Sequence, residues 1–206
     1  MTHAIRIHEP GGPEKLVWEA VDVPAPGKGE VQLEHKAVGL NYIDVYHRTG
    51  LYPLPALPTA IGLEACGVVT ALGDGVSDLA VGDRVAYASP PLGAYAEMRN
   101  IPAERVVKLP DSIDDKTAAG MMLQGMTVEY LLRRTFKVEA GQTILVHAAA
   151  GGVGLMMCQW AKHLGVTIIG TVGSEEKAAL AKANGCNHTI MYRQENFAEK
   201  VMEITN

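Results

Sequence analysis

One segment of the sequence combines small residues in a pattern suited to holding a phosphate. Residues 149–154 read Ala-Ala-Gly-Gly-Val-Gly, a near match to G-x-G-x-x-G in which Ala149 replaces the first glycine. Gly151 would let the backbone approach a pyrophosphate, and Gly154 would let a following helix pack close to the preceding strand. The N–H groups and positive end of that helix would face the phosphates. The pattern predicts dinucleotide binding; the alternative is a tight strand–helix turn without a ligand.

The residues about 20 positions further on select between NAD and NADP. The predicted second strand ends in Gly173 and Ser174, with no carboxylate there to repel a 2′-phosphate. Lys177, one turn into the next predicted helix, and the Ser174 hydroxyl can reach such a phosphate. Glu175 and Glu176 mildly favour the opposite choice, NADH. In the alternative interpretation, Ser174 only caps a helix and Lys177 is solvated. We predict NADPH as the cofactor.

Alternating strands and helices would position these residues. The run 143–147, Thr-Ile-Leu-Val-His, carries apolar side chains on both faces, which is typical of a buried parallel strand. Residues 153–164 repeat apolar side chains at three- and four-residue spacing, which predicts a helix. Further predicted elements are a helix over 127–134, a strand over 166–171, a helix from Ser174 to 184–185, a short strand near 189–191 and a helical tail over 195–205.

The earlier part of the chain has a different pattern, because glycine and proline interrupt short strand-like runs. Residues 31–34 alternate apolar and polar side chains, residues 65–69 are small or β-branched, and a turn at 81–83 leads into a strand. We predict a mostly β domain over residues 1–120 and part of a dinucleotide-binding domain over residues 121–206. The fold class is therefore mixed α/β, ending in the first half of a doubly wound parallel sheet.

The composition argues against several functions. The 206 residues include 18 Lys+Arg and 23 Asp+Glu, and the net charge of −5 argues against nucleic-acid and polybasic membrane-surface proteins. No apolar run reaches the ~18 residues of a membrane span, and no signal-peptide core is present, so we predict a cytoplasmic protein. Three cysteines, Cys66, Cys158 and Cys186, without CxxC spacing argue against a disulfide framework and a cysteine-rich zinc lobe.

Motifs in both parts of the chain point to one family. They are GGPE at 11–14, GLNYID at 39–44, RTGLY at 48–52, GLEACG at 62–67, VGDRV at 81–85, QGMT at 124–127, HAAAGGVG at 147–154 and GTVGS at 170–174. With these motifs, the chain resembles the zeta-crystallin-like quinone oxidoreductases of the medium-chain dehydrogenase/reductase superfamily over nearly its whole length. The resemblance implies a GroES-like β-barrel catalytic domain followed by a Rossmann domain, and hydride transfer from NADPH to a quinone.

The resemblance also implies which residues contact the reactants. Asn41, Tyr46 and Tyr52 would face the substrate. The residues implied to line the NADPH site are Tyr42, Ile43, Asp44, Val45, Tyr46, Thr127, Tyr130, Gly151, Gly152, Val153, Gly173, Ser174, Glu175, Glu176, Lys177 and Tyr192.

The zinc-dependent relatives of this family hold their metal with side chains that this chain lacks. Asn41 stands at their cysteine position and Leu63 at their histidine position, so that only Glu64 remains, and one ligand cannot hold zinc. We therefore predict no metal. A quinone or an activated enone needs less polarisation than an alcohol, and a hydrogen-bond donor beside its oxygen would suffice. Tyr46 and Tyr52 are the candidate donors; in the alternative interpretation they are packing aromatics.

The resemblance implies that about a third of the family's length, roughly a hundred residues, is absent. We expect a truncated form that is poorly soluble or partly unfolded alone, with little reductase activity and a largely missing homodimer interface. The expected partner is a quinone or another small conjugated carbonyl acceptor, with neither membrane nor nucleic acid. The alternatives are an NADPH-dependent enone or alkenal reductase on the same scaffold and a protein that binds AU-rich RNA.

Overall fold

The computed structural model describes residues 1–54 and 56–206, and these form two compact units. The first unit comprises Met1–Leu123 and the second Gln124–Asn206, so the division lies three residues beyond the predicted boundary at residue 120. The first unit is built mainly from antiparallel strands, and the second alternates strands with helices. The predicted mixed α/β fold class is confirmed.

The first unit consists of short strands joined by turns and one short helix. Its elements are β1 (Thr2–Ile7), β2 (Val17–Val21), β3 (Glu30–Gly39), α1 (Tyr42–Thr49), β4 (Thr59–Ala60), β5 (Glu64–Leu72), β6 (Arg84–Ala88), β7 (Met98–Pro102), β8 (Val107–Lys108) and the first part of α2 (Asp115–Tyr130), with 3-10 turns at Pro13–Lys15 and Ala103–Arg105. Five strands form an antiparallel sheet in the order β7-β3-β5-β6-β8, and β2-β1-β4 form a second antiparallel sheet.

The alternating sequence of β3 explains how the larger sheet covers its core. Val31 and Leu33 are fully buried, whereas Glu34 on the other face is exposed. Because successive side chains of a strand point to opposite faces, this alternation directs one apolar row inward. The register between β3 and β5 shifts at two places, which bends the strands as β-bulges do.

The helix predicted from residue 127 begins much earlier. α2 starts at Asp115, and Asp114 caps it, since Oδ1 of Asp114 accepts a hydrogen bond from the Thr117 backbone N–H at 2.9 Å and Oδ2 accepts one from the Thr117 hydroxyl at 2.7 Å. The Ala-Ala-Gly run that follows has little amphipathic pattern, so residues 115–126 gave no periodic signal. After Tyr130 the chain continues as a π-helical turn, Leu131–Thr135.

The second unit contains a three-stranded parallel sheet with order β11-β10-β9. Its elements are β9 (Thr143–Val146), α3 (Gly152–His163), β10 (Thr167–Val172), α4 (Glu175–Ala183), β11 (His188–Met191) and α5 (Phe197–Thr205). Each corresponds to a predicted element within about two residues of its bounds. Helices α3 and α4 pack against β10. Among the residues that the structure describes, no helix is both long and apolar enough to cross a bilayer.

The expectation that β9 is buried on both faces was wrong. Val146 is buried, but Leu145 is 40% exposed. In the described sheet β9 is an edge strand, and its only ladder partner is β10. Because successive side chains alternate between the two faces, Leu145 lies on the face opposite Val146, which packs in the core with α3 residues.

Candidate functional site

The strands of the second unit bring several of the predicted cofactor residues to one edge of the sheet. Parallel strands end at the same edge, and β9, β10 and β11 end there at Val146, Val172 and Met191. The glycine-rich turn follows β9, Gly173 and Ser174 follow β10, and Tyr192 follows β11. The carboxyl edge of an open parallel sheet is where such folds bind their ligands.

The glycine-rich turn leaves no room for a side chain at Gly154. Gly151 precedes α3, and its N–H donates to the Ala148 carbonyl at 2.8 Å. A Cβ atom on Gly154 would lie 2.3 Å from the Ala148 carbonyl oxygen, which is backbone and cannot rotate away. The glycine is therefore required for the close packing of α3 against the turn, as the sequence predicted.

The start of α3 fits a dinucleotide pyrophosphate. The first N–H groups of a helix have no partner within the helix, and they point along its axis together with the positive end of the dipole. α3 begins at Gly152, and Gly151 and Gly152 present no side chain between these donors and a ligand. Ala148 adopts a left-handed φ of 52°, a conformation favoured by glycine that here closes the turn after β9.

The end of β10 carries the groups predicted to choose between NADPH and NADH. Ser174 caps α4, with its Oγ accepting a hydrogen bond from the Lys177 backbone N–H at 3.3 Å. Because the serine oxygen accepts this bond, its own hydroxyl hydrogen is free to donate to another group. Glu175, Glu176 and Lys177 are exposed in the first turn of α4.

Tyr192 lies beside the end of β10 at this edge of the sheet. Its ring is half exposed, its backbone N–H donates to the Val172 carbonyl at 3.2 Å, and a Cβ on Gly173 would lie 2.9 Å from its hydroxyl oxygen. Tyr192 thus lies against the backbone of Gly173, beside the Ser174 cap. Of the three remaining predicted residues of the second unit, Val153 lies in the first turn of α3, and Thr127 and Tyr130 lie on α2, with Tyr130 half exposed at the last residue of that helix.

In the first unit, α1 brings the predicted tyrosines together. The ring centroids of Tyr42 and Tyr46 are 5.2 Å apart in an edge-on arrangement, and those of Tyr46 and Tyr52 are also 5.2 Å apart. The Tyr52 backbone N–H donates to the Tyr46 carbonyl at 3.1 Å, which ties the segment after α1 to the helix. Tyr42 and Tyr52 are exposed, so this aromatic surface is open to a flat ligand. Ile43 and Val45 occupy partly buried positions of the same helix.

Two predicted residues at the start of α1 are buried rather than open. Asn41 is 5% exposed and Asp44 is 3% exposed. Asp44 Oδ2 accepts hydrogen bonds from the Asn41 backbone N–H at 2.9 Å and from the Tyr95 hydroxyl at 2.7 Å. Burial, the bond to Asp44 and the nearby carboxylates together raise the pKa of Tyr95, so this hydroxyl is a hydrogen-bond donor at neutral pH.

Glu64, the remaining side chain of the zinc positions, is held by nitrogen donors. It is 1% exposed; its Oε2 accepts from Asn41 Nδ2 at 2.6 Å, and its Oε1 accepts from the Leu123 backbone N–H at 2.8 Å. Burial raises the pKa of Glu64, and these hydrogen bonds oppose that rise. Within residues 1–54 and 56–206, no three His, Cys, Asp or Glu side chains are grouped to hold a metal ion.

The sequence did not reveal the parts of this array that come from distant segments. Tyr95 and the Leu123 N–H carry no motif, and they reach Asp44 and Glu64 only through folding. Gly39 is the one local signal: a Cβ there would lie 2.2 Å from Glu64 Oε2, so the glycine makes room for the carboxylate.

Comparison with known proteins gives the family. Residues 27–111 match the alcohol dehydrogenase GroES-like domain, and residues 152–206 match the zinc-binding dehydrogenase family. The chain is 52% identical to a quinone oxidoreductase of Pseudomonas aeruginosa over 206 residues, which are 100% of this chain and 63% of that protein. The chain is thus homologous to quinone oxidoreductases over its whole length. The GroES-like architecture and the resemblance inferred from the sequence motifs are thereby confirmed.

Two further relatives were compared with the chain. The structure of Escherichia coli quinone oxidoreductase complexed with NADPH superposes with a TM-score of 0.97 at 47% identity, covering 98% of this chain and 62% of that one. A 2-haloacrylate reductase of Burkholderia is 50% identical over 211 residues, covering 100% of this chain and 63% of that protein. The chain thus spans a little under two thirds of the length of each of these proteins.

Proposed function

We propose that the protein carrying this chain reduces quinones with NADPH. The observation that carries the proposal is the carboxyl edge of the parallel sheet, where the glycine-rich turn lies beside a strand end without a carboxylate. The relatives support it, because one at 52% identity is named a quinone oxidoreductase and another was crystallised with NADPH.

On the cofactor side, this chain supplies two sets of donors. The backbone N–H groups of Gly152 and Val153 at the start of α3 would bind the pyrophosphate. The Ser174 hydroxyl and the Lys177 ammonium would bind the 2′-phosphate that distinguishes NADPH from NADH. The exposed carboxylates of Glu175 and Glu176 would repel the 2′-phosphate. Binding of that phosphate would therefore depend on the positive charge of Lys177.

On the substrate side, the aromatic surface of Tyr42, Tyr46 and Tyr52 suits a planar conjugated ring. NADPH supplies a hydride when it is bound. The hydroxyls of Tyr46 and Tyr52 would donate hydrogen bonds to the acceptor oxygen, where negative charge develops as the hydride arrives. We expect this arrangement to work without a metal, because Asn41 and Leu63 stand where the zinc-dependent relatives have ligands.

The test of the proposal exchanges one charge for a methyl group. In the protein carrying this chain, Lys177→Ala removes the phosphate contact, and we expect NADPH binding to weaken by about 1.5–3 kcal/mol while NADH binding is nearly unchanged. Lys182→Ala is the matched control, because Lys182 is exposed near the other end of the same helix. Equal losses for NADPH and NADH in Lys177→Ala, or an equal effect of the control, would contradict the proposal.

Reduction of a conjugated carbonyl compound other than a quinone is the second candidate function. It is favoured by the 50% identity to a 2-haloacrylate reductase. Steady-state kinetics with NADPH and a panel of benzoquinones, naphthoquinones, enones, alkenals and 2-haloacrylates decide between the two. A kcat/KM for every quinone below those for the enones or haloacrylates would favour the second function.

Cysteine chemistry and net charge bear on where the protein works and on what it binds. A cytoplasmic location is supported by the three cysteines, which are free and buried, as in reducing compartments. RNA binding is disfavoured by the net charge of −5. A salt-dependent shift of an AU-rich RNA by the purified protein would revive that alternative.

A further inference from the structure

Ala148, in the glycine-rich turn, has an unusual backbone conformation for a residue with a side chain. Its φ is 52°, and within residues 1–54 and 56–206 it is the only residue other than glycine with a positive φ. In this left-handed region the Cβ atom crowds the carbonyl oxygen that follows, so glycine is the residue that usually adopts it. Such strain persists only where the surrounding structure imposes it. The contacts around Ala148 therefore show what holds the turn in its shape.

Both neighbours of Ala148 are bonded to one residue of the central strand, Thr171. The His147 ring nitrogen Nδ1 shares a hydrogen bond of 3.0 Å with the Thr171 hydroxyl, and the Ala149 backbone N–H donates to the Thr171 carbonyl at 3.1 Å. In an extended chain, residues two apart are separated by about 6.6 Å along the strand. Two bonds to the same residue therefore favour a chain that folds back at Ala148.

The Thr171 hydroxyl lies in a buried part of the sheet. Thr171 is 2% exposed and belongs to β10, which has a strand on each side. A buried hydroxyl needs a hydrogen-bond partner, whereas a valine of nearly the same shape would need none. The partner that the described residues give this hydroxyl is the His147 ring. The bond between the two side chains is therefore a candidate for a role beyond packing.

The His147 ring is exposed, yet it is held at two points. Besides its bond to Thr171, it lies edge-on against Phe197 at the start of α5, with ring centroids 5.2 Å apart and an interplanar angle of 89°. On the other side of the turn, the Ala148 carbonyl accepts from the Gly151 N–H at 2.8 Å, and Gly151 directly precedes α3. His147 is thus linked through the turn to the helix N-terminus that would bind a pyrophosphate.

We propose that His147 is a positioning residue, which through its bond to Thr171 holds Ala148 in the left-handed conformation and so keeps the glycine-rich turn ready for a pyrophosphate. The inference rests on the proposed function. A turn that is already formed spares the ligand the cost of ordering it, and affinity rises accordingly. The group that benefits is the pyrophosphate, which NADPH and NADH share, so His147 should act equally on both cofactors.

His147→Leu and His147→Asn form a matched pair in the protein carrying this chain. Leucine and asparagine have nearly the same shape, and both lack the ring that contacts Phe197, but only asparagine has hydrogen-bonding atoms at the δ position, where Nδ1 lies. We expect His147→Leu to raise the Kd of NADPH and of NADH by the same factor, about three- to tenfold, the effect of one lost hydrogen bond. His147→Asn should restore both to within about twofold. Lys177→Ala, by contrast, should affect NADPH alone.

A glycine at position 148 separates positioning of the turn from a general loss of stability. Glycine adopts a positive φ as readily as a negative one, so the turn no longer needs an external hold. We therefore expect Ala148→Gly, added to His147→Leu, to return both Kd values to within about twofold of the unmodified protein. A ring that only contributed to packing would not be replaced by removing a methyl group from the next residue.

Each remaining outcome counts against the inference. A folded His147→Leu protein with unchanged Kd values would show that the bond to Thr171 does not matter for the cofactor. A loss for NADPH only, a His147→Asn protein as impaired as the leucine variant, or a failure of Ala148→Gly to rescue would each show that His147 acts in another way. If His147→Leu does not fold, Thr171→Val and Thr171→Ser make the same comparison from the other side of the bond, with the serine variant keeping the hydroxyl.

Hydrogen exchange reads the turn without any ligand. The Ala149 amide proton, bonded to the Thr171 carbonyl, should exchange about tenfold faster in His147→Leu and return to its original rate when Ala148→Gly is added. The Ile168 amide, bonded to Asn187 Oδ1 at 2.8 Å elsewhere on β10, is the control and should not change. An unchanged rate at Ala149 would overturn the inference. Failure of the unmodified protein to reduce quinones or to bind either nucleotide would count against the proposed function, because the exchange rates still test whether His147 holds the turn.

Discussion

His35 should make the first unit lose stability as the pH falls below 6.5. Its Nδ1 donates to the Ala96 carbonyl at 2.6 Å, and its Nε2 accepts from the Tyr87 hydroxyl at 3.0 Å, so the bonded form is the neutral ring. Burial, foremost, lowers the pKa of His35 to about 4, the Ala96 carbonyl opposes this, and the Arg99 guanidinium adds to it. A protonated His35 would also lie near a second cation, since Arg99 Nη1 donates to the same Tyr87 oxygen at 3.4 Å.

Proton linkage gives the direction and the size of the change in stability with pH. The unfolded ring binds its proton near pH 6.5 and the folded ring only near pH 4, so the stabilisation is complete above pH 6.5 and is lost between these values. At ~1.36 kcal/mol per pKa unit, the loss is about 1.4 kcal/mol at pH 5.5 and about 2.5 kcal/mol at pH 4.5. Other groups titrate in the same range, so a variant is needed to isolate this contribution.

The assay compares urea unfolding at pH 7.5, 6.5, 5.5 and 4.5, followed by hydrogen exchange of the β3 peptide. His35→Gln cannot titrate, and we expect a protein that is less stable at pH 7.5 but whose stability falls less steeply with pH than that of the unmodified protein. His163→Gln, at an exposed position on α3, is the control and should leave the pH dependence unchanged. Parallel pH profiles for His35→Gln and the unmodified protein would refute the reasoning.

Three other variants and measurements test the cofactor edge and the metal positions. Gly154→Ala should destabilise the second unit by about 1–3 kcal/mol in thermal unfolding, because its Cβ would lie 2.3 Å from a backbone oxygen, whereas Gly120→Ala, with open space around it in α2, should be neutral or stabilising. Ser174→Asp should keep the α4 cap and its stability but weaken NADPH binding far more than NADH binding; a matched loss for both would mean that Ser174 is only a cap. Elemental analysis after dialysis should find less than stoichiometric zinc, and a chelator should not alter activity, because Asn41 and Leu63 supply no metal ligand; one retained zinc per chain would contradict this.

Local sequence determined the parts of this protein that depend on neighbouring residues. The turn at 149–154, the Ser174 cap and the alternating strands of the second unit follow from glycine placement, side-chain capping and apolar periodicity, which act over a few residues. The sequence also shows that positions 41 and 63 lack the cysteine and histidine of the zinc-dependent relatives. Given the resemblance, the residue types alone establish this, and no knowledge of the fold is needed. Only the last part of α2 was predicted, because its alanine, glycine and methionine residues do not form separate apolar and polar faces.

Only the tertiary structure decided which buried polar groups meet. Glu64 reaches the Leu123 N–H 59 residues later, Asp44 meets Tyr95 51 residues later, and His35 meets Tyr87 52 residues later. No short-range pattern encodes these pairs, because the partners come from strands and helices that are far apart in the sequence. What selects them is the cost of burial: a polar group removed from water must find a hydrogen-bond partner, and the packed fold determines which one lies within about 3 Å.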